Sequence, residues 1–326
     1  MLSSNYTFSR ELKEYYGIGD SIRVVDSLIK IANDSVDTDS LLSKQSAKDA
    51  YAMALQIKYI KGQAEALMFM ASYSLKNEEY LASLDYHFKI IDLYERNLDF
   101  DNLINYGYTR ITQFFLQIKD YDLARKYLDQ MFRLLPKSSY PSAKGNACLC
   151  QAKYYLALHA DSLAIRSLYI SIPCFQKAND LLAEAAVYKY LGDAFVQTKQ
   201  YANADFAYRT SISIFSQKQK LGELAVMYTR IAHIYQILEN NQKNLEYNLN
   251  ALHIREKIHQ PLLIASSFLN VGESYWLLGR KDSANVYLSK ALNLAKQINS
   301  TYYLEAIYYE LYDFANSEKR YQDALK

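Results

Sequence analysis

The chain has 326 residues, half of them hydrophobic and 22% charged, with only four prolines and nine glycines. That balance argues for ordered helices rather than disorder or short-stranded β structure. Basic and acidic residues number 37 and 35, so a net charge of +2 leaves no global field to draw the chain to nucleic acid or an anionic membrane.

Three cysteines are too few for a disulfide framework, and Cys148 and Cys150 stand two apart in a predicted helix, where their side chains diverge. Such usage fits the cytoplasm and equally a bacterial periplasm, so the compartment stays open. No apolar run reaches the roughly 18 to 20 residues of a membrane helix. The opening MLSSNYTFSREL lacks a basic segment followed by an apolar one, so a periplasmic location requires a signal peptide already removed.

In chain order, residues 1–20 mix polar residues with Tyr15, Tyr16, Gly17 and Gly19 and read as a leader, either a short helix or irregular. Residues 21–62 form an atypical first helix pair. Its first helix shows Ile22, Val25, Leu28, Ile29 and Ala32 at three- and four-residue spacing and ends in NDSVDTDS. Its second, from Leu41 to about Ile60, carries Ala47, Tyr51 and Ala54.

From residue 63 to 326 the chain repeats itself. A small residue in the middle of each first helix sets the register: Ala71, Thr112, Ala152, Gly192, Ala232, Gly272, then bulky Tyr312, at steps of 41, 40, 40, 40, 40 and 40. The second helices echo it through Ala47, Ser83, Ala124, Ala164, Ala204, Asn244, Ala284 and Ala324. Small residues let helix axes approach to the lower end of the usual 8 to 10 Å while larger neighbours fill the grooves. Tyr80, Tyr121 and Tyr201 open second helices, where a tyrosine suits a half-buried seam.

Expected helix terminators are Pro136 and Pro141, Asn179, Gly222, Pro261, and Asn299 with Ser300, with Asp282 and Ser283 as capping residues. Each repeat then holds two helices of roughly 14 to 18 residues joined by short turns. Lys326 falls about one turn into a second helix. The expectation is therefore that the chain is part of a longer protein, or that a partner, including a second copy in a homodimer, covers this end.

Tyr188, Leu191, Gly192, Phe195, Ala204 and Tyr208 resemble the tetratricopeptide repeat position by position, and Gly272, Tyr275, Ala284 and Ala291 do so nearly as well. That repeat is usually 34 residues, so the likeness is to longer-helix versions. The resemblance implies an all-α fold, a right-handed α-solenoid of antiparallel helix pairs, with a non-enzymatic protein- or peptide-binding role. Long tyrosine- and asparagine-rich arrays of this kind also resemble the sensory regions of bacterial signalling proteins, which precede a histidine kinase or helix-turn-helix output domain, and more distantly bacterial peptide-pheromone receptors.

Motifs for chemistry are scarce. His87, His159, His233, His253 and His259 form neither H-E-x-x-H nor a helical i,i+4 pair, so no metal or cofactor is expected. Ser27 and Lys30 match S-x-x-K without its companion motifs. Gly17-Ile18-Gly19 lacks the third glycine and the strand of a dinucleotide loop. Basic residues alternate with acids, as in Lys58, Lys61 and Glu65, so no stripe for nucleic acid forms.

The groove lined by first helices is the better place for a site. Residues one past and three before each small position supply Lys189, Asp193, His233, Glu273 and Tyr309, with Gln236 and Trp276 one turn further on. A tryptophan beside polar groups suits anchoring a peptide, or a small effector. Lys189 resembles the lysine of a carboxylate clamp, but Asp193 and His233 stand where asparagines would help. The alternative function is a scaffold or dimerisation module without ligand sensing.

Overall fold

A computed structural model describes residues 18–36, 40–298 and 301–317, and every regular element among these is helical. The chain divides into two compact units, Met1–Leu158 and His159–Lys326. The first holds α1 (Ile18–Asp34), α2 (Ser40–Gln56), α3 (Ile60–Lys76), α4 (Tyr80–Arg96), α5, α6 (Tyr121–Leu134) and α7 (Pro141–Ala157). Here α5 is continuous through Phe100–Asn102, a π-helical Leu103–Tyr108 and Thr109–Gln117. The second holds α8 (Asp161–Lys177), α9 (Leu181–Gln197), α10 (Tyr201–Gln217), α11 (Leu221–Ile237), α12 (Asn241–Lys257), α13 (Pro261–Leu277), α14 (Lys281–Gln297) and α15 (Thr301–Ser317). Within each unit a helix packs on its sequence neighbours, the arrangement of an α-solenoid of antiparallel helix pairs.

The turns explain the period. Left-handed residues fall at Lys58, Glu78, Leu98, Lys119, His159, Asn179, Lys199, Gln219, Glu239, His259 and Gly279, nearly all 20 apart. Helices that end at these residues close on one motif: the Gln200 amide donates to the Phe195 carbonyl at 2.8 Å and the Lys199 amide to Val196 at 3.0 Å, which satisfies orphan carbonyls of the last turn. Of these positions only the last is glycine. The others accept a conformation that costs an L-residue about 1 kcal/mol or more, because the turn is fixed by helices packed on both sides.

Two sequence expectations are corrected here. Gly222 lies inside α11, and the break before that helix is made by Gln219. Asp282 and Ser283 also lie inside their helix, α14, which begins after Arg280 with no side-chain cap. Side-chain caps occur instead at Asp120, Asp180 and Asn240, whose oxygens accept from the amides of Leu123, Ala183 and Lys243. Asn299 and Ser300, residues 1–17 and residues 318–326 lie outside the described residues.

The single 41-residue step, from Ala71 to Thr112, has a local cause. Its extra residue is absorbed by the π-helical turn Leu103–Tyr108, where Thr109 Oγ1 donates to the Ile104 carbonyl at 2.7 Å. Register is regained, and Ile111, Thr112 and Phe114 are buried as in the other first helices.

The small residues sit at the helix contacts as their spacing requires: Ala71, Ala124, Ala152, Ala164, Ala204 and Ala284 are all fully buried. Aromatic stacks recur twelve residues apart across the turn within a pair. Phe115 lies on Tyr127, Tyr235 on Tyr247 and Tyr275 on Tyr287, with ring centroids 5.6, 5.6 and 5.4 Å apart. Cys148 and Cys150 are buried and Cys174 is partly buried, and none of the three is in a disulfide.

His87 is a misfit in the first unit. It takes the register position that Leu128, Leu168 and Leu288 fill elsewhere, is buried against the Phe114 ring at 5.8 Å, and leaves Nδ1 without a partner. Burial first, and then the Arg110 guanidinium, lower its pKa to about 4. Above pH ~6.5 the imidazole is neutral in both folded and unfolded chains and contributes no pH dependence. As pH falls from there to about 4 only the unfolded chain takes up the proton, so the fold loses up to about 3 kcal/mol. Thermal melts between pH 7 and 4.5 are expected to show the midpoint of His87→Leu rising progressively relative to the parent chain. Parallel curves would refute this assignment.

Candidate ligand pocket

The second unit opens a pocket of about 500 Å³ between the first helices α9, α11 and α13, reaching down to α10 and α12. Its cause is visible when repeats are compared. At the register position that meets the small residue of the first helix, α10 has Tyr208 and α14 has Leu288, but α12 has Asn248. Both large side chains fill their site: a Cβ added to Gly192 would lie 2.2 Å from the Tyr208 ring, and one added to Gly272 would lie 2.9 Å from Leu288 Cγ. Asn248 instead turns its amide to Ser274, donating from Nδ2 to Oγ at 2.9 Å.

Two further polar residues replace apolar ones on the buried face of α12. Asn244 stands where Ala204 and Ala284 stand, and Arg255 where Phe215 and Ala295 stand. Asn244 is 3% exposed; its Nδ2 donates to the Ala232 carbonyl at 2.9 Å, while its Oδ1 has no partner. Arg255 is 5% exposed and donates to the hydroxyls of Ser267 at 2.6 Å and Thr229 at 3.2 Å. Burying three polar side chains in one helix interface forfeits apolar contact and desolvation energy of about 1–3 kcal/mol per group. A helix that keeps them all departs from its neighbours at this one place, and departures of this kind concentrate at functional sites.

Charged groups line the walls. Asp193 accepts from Arg230 Nη1 at 2.5 Å and from the Tyr208 hydroxyl at 2.6 Å. Burial raises its pKa, opposed by Arg230, Tyr208 and Lys189. The Tyr208 hydroxyl is held far above its ordinary range by burial and by that carboxylate. Glu273 accepts from Gln236 Nε2 at 2.6 Å. Its pKa too is raised by burial, opposed by the Gln236 bond and by His233. Across the pocket run hydrogen-bond donors and acceptors of both kinds with an aromatic ring between them, the composition of a site that grips a flexible polar chain.

Of the residues expected from the sequence, Asp193, His233 and Glu273 line this pocket together, as does Gln236. Three do not. Lys189 points its ammonium at the Tyr190 ring, 4.3 Å from the centroid. Trp276 holds in α13 the register position that Gln236 holds in α11, one interface further along, and Lys281 lies 5.7 Å over its ring. Tyr309, on α15, is 68% exposed.

Arg230, Asn244, Asn248, Asn270 and Tyr208 line the pocket without having been expected. A signal for Arg230 exists in the spacing. Bonds between successive first helices join residues 37 apart, as Asp193 to Arg230 and Gln236 to Glu273. The residue facing the position after one small residue is thus the one two before the next, not three before.

The first unit has a pocket of about 520 Å³ lined by Ile29, Met68, Phe69, Tyr73, Tyr106 and Arg110 among others. None of its polar lining side chains is buried, so it lacks the feature that singles out α12. Among the described residues no group of three His, Cys, Asp or Glu is placed to hold a metal ion, and no helix is long and apolar enough to cross a membrane.

The family profile described as Tetratricopeptide repeat matches residues 265–298, which span most of α13 and all of α14. Solved structures extend the likeness across both units. The chain is a tetratricopeptide-like repeat array. It is similar to a Rap protein complexed with Competence and Sporulation Factor, at 13% identity and a TM-score of 0.61 over 94% of this chain and 85% of that one. Aspartyl phosphate phosphatase F from Bacillus subtilis is similar at 13% identity and 0.60, over 92% and 91%. A STAND protein with a tetratricopeptide repeat sensor from Pyrococcus horikoshii gives 14% and 0.60, over 96% of this chain and 54% of that one. At such identities the likeness is one of fold alone. A search of curated proteins returned no sequence match.

Proposed function

We propose that the array is a non-enzymatic binding module whose first-helix groove in the second unit takes an extended peptide or protein segment. The observation that carries this reading is the buried polar face of α12. Asn244 and Asn248 floor the pocket where neighbouring repeats close it with alanine, tyrosine or leucine. An extended chain presents alternating N–H and C=O groups, and side-chain amides offer both a donor and an acceptor to meet them. The tetratricopeptide-like fold serves typically as an interaction scaffold, and a Rap protein of similar fold is complexed with Competence and Sporulation Factor. We place the module in the sensory or regulatory region of a larger bacterial signalling or transcription-regulating protein. A stacked array suits that task, since binding across three helices changes the small rotations between them.

Selection of peptides from a random displayed library on the full chain, followed by hydrogen exchange with an enriched peptide, tests the reading. Protection is expected over α9, α11 and α13. Protection confined to the first unit, or no enriched peptide at all, refutes it.

A further inference from the structure

The balance of donors and acceptors in this pocket specifies more than a peptide in general. Asp193 is neutralised by Arg230 at 2.5 Å, but Glu273 has no cation within 4 Å among the described residues, only the neutral amide of Gln236. The charged side chains of the lining, Asp193, Arg230 and Glu273, sum to one negative charge, with Lys189 acting on Asp193 from outside the lining. A second acceptor stands in the same lining. Asn244 is 3% exposed and its Oδ1 receives no hydrogen bond, although an unpaired buried acceptor costs about 1–3 kcal/mol. His233 is the other titratable group facing Glu273 from α11, and it is exposed.

We propose that the pocket receives a cationic group of the bound peptide, with Glu273 as counter-ion and Asn244 as a second acceptor. The inference rests on the peptide-binding reading above. A primary ammonium or a guanidinium pairs with Glu273 directly and with Asn244 once its buried amide turns toward the pocket, whereas a terminal carboxylate would face Glu273 with like charge. The cation has two sources, a Lys or Arg side chain or the peptide's own amino terminus.

The test uses peptides enriched by selection on the full 326-residue chain, resynthesised in three forms: unaltered, with Lys and Arg replaced by Gln, and with the amino terminus acetylated. Affinity for each is measured by fluorescence polarisation on the parent chain, Glu273→Gln and Asn244→Ala. Glu273→Gln keeps an oxygen for the Gln236 bond, and Asn244→Ala installs the residue that other repeats carry, so both variants are expected to fold. The unaltered peptide is expected to weaken about 30-fold or more on Glu273→Gln and about 5-fold on Asn244→Ala. Loss on replacing Lys and Arg assigns the cation to a side chain, and loss on acetylation assigns it to the terminus; both support the proposal. Peptides that protect α9, α11 and α13 yet bind equally in all three forms, or equally to Glu273→Gln, overturn it while leaving the peptide-binding reading intact. Failure to enrich any peptide overturns both.

Discussion

Asn248→Leu is expected to abolish peptide binding while raising the thermal stability of the second unit. Leucine is the array's own residue at this register, as in Leu128 and Leu288, both at most 2% exposed. It fits beside a small residue as large as threonine, since Leu128 belongs to the repeat whose first helix carries Thr112, so Ala232 leaves room enough. Burying the new side chain contributes about 2 kcal/mol. Against this stands the lost bond from Asn248 to Ser274, worth about 1 kcal/mol. Ser274 is not orphaned, because its hydroxyl also donates to the Asn270 carbonyl at 2.7 Å. The net gain of about 1 kcal/mol corresponds to a midpoint higher by about 2–4 °C. Binding should move the other way by roughly 100-fold, because the substitution removes the floor amide and fills the space above it. Opposite signs in one variant would separate function from fold at a single residue. Thermal melts and a titration with a selected peptide decide it; a variant that binds as the parent does would remove Asn248 from the site.

The sequence discloses this fold through spacing rather than composition. Steps of 40 between Gly192, Ala232 and Gly272 need only the assumption that small residues mark close helix contacts, and those residues are buried where the spacing puts them. The 41-residue step is legible as an irregularity, but its form is not. Nothing in LINYGY distinguishes a π turn inside a helix from a longer loop, because the choice is made by packing around Ile104 and Tyr108. Most of the left-handed turn residues are equally silent: lysine, glutamate, glutamine and leucine have no preference for that conformation and adopt it because helices on either side allow nothing else.

The pocket was half legible for a related reason. Asp193, His233 and Glu273 follow from the register, since one past the small residue is a groove position in every repeat. Asn244 and Asn248 were present at their repeat positions, where matching a pattern treats them as core substitutes. Their meaning appears only on comparing α12 with α10 and α14, which shows polar groups replacing Ala204, Tyr208, Ala284 and Leu288. Trp276 drew attention for its chemistry, but its register places it one interface beyond the pocket.

Gly192→Ala is expected to destabilise the second unit although alanine is the better helix former by about 1 kcal/mol. The new Cβ would lie 2.2 to 2.7 Å from three atoms of the Tyr208 ring. That ring is held at both ends: it is 2% exposed in its helix contact, and its hydroxyl donates to Asp193 at 2.6 Å. Relief therefore requires either helix separation or loss of the Asp193 bond, and so close a contact puts the overpacking cost at about 3 kcal/mol, the upper end of its usual range. Set against the helix-propensity gain, a net loss of about 2 kcal/mol is expected, several degrees in the midpoint of a thermal melt. Gly222→Ala is the control, since its Cβ meets nothing within 4 Å and the same propensity term acts alone. That variant should gain about 0.5–1 kcal/mol. Adding Tyr208→Leu to Gly192→Ala should restore most of the loss, because leucine already serves this register in α14 opposite Gly272. The restored fold would still lack the hydroxyl that steadies Asp193, so peptide affinity should stay below that of the parent. Stabilisation by Gly192→Ala equal to that by Gly222→Ala would mean that Tyr208 yields freely, and that the wall formed by Asp193, Tyr208 and Arg230 is not a fixed part of the site.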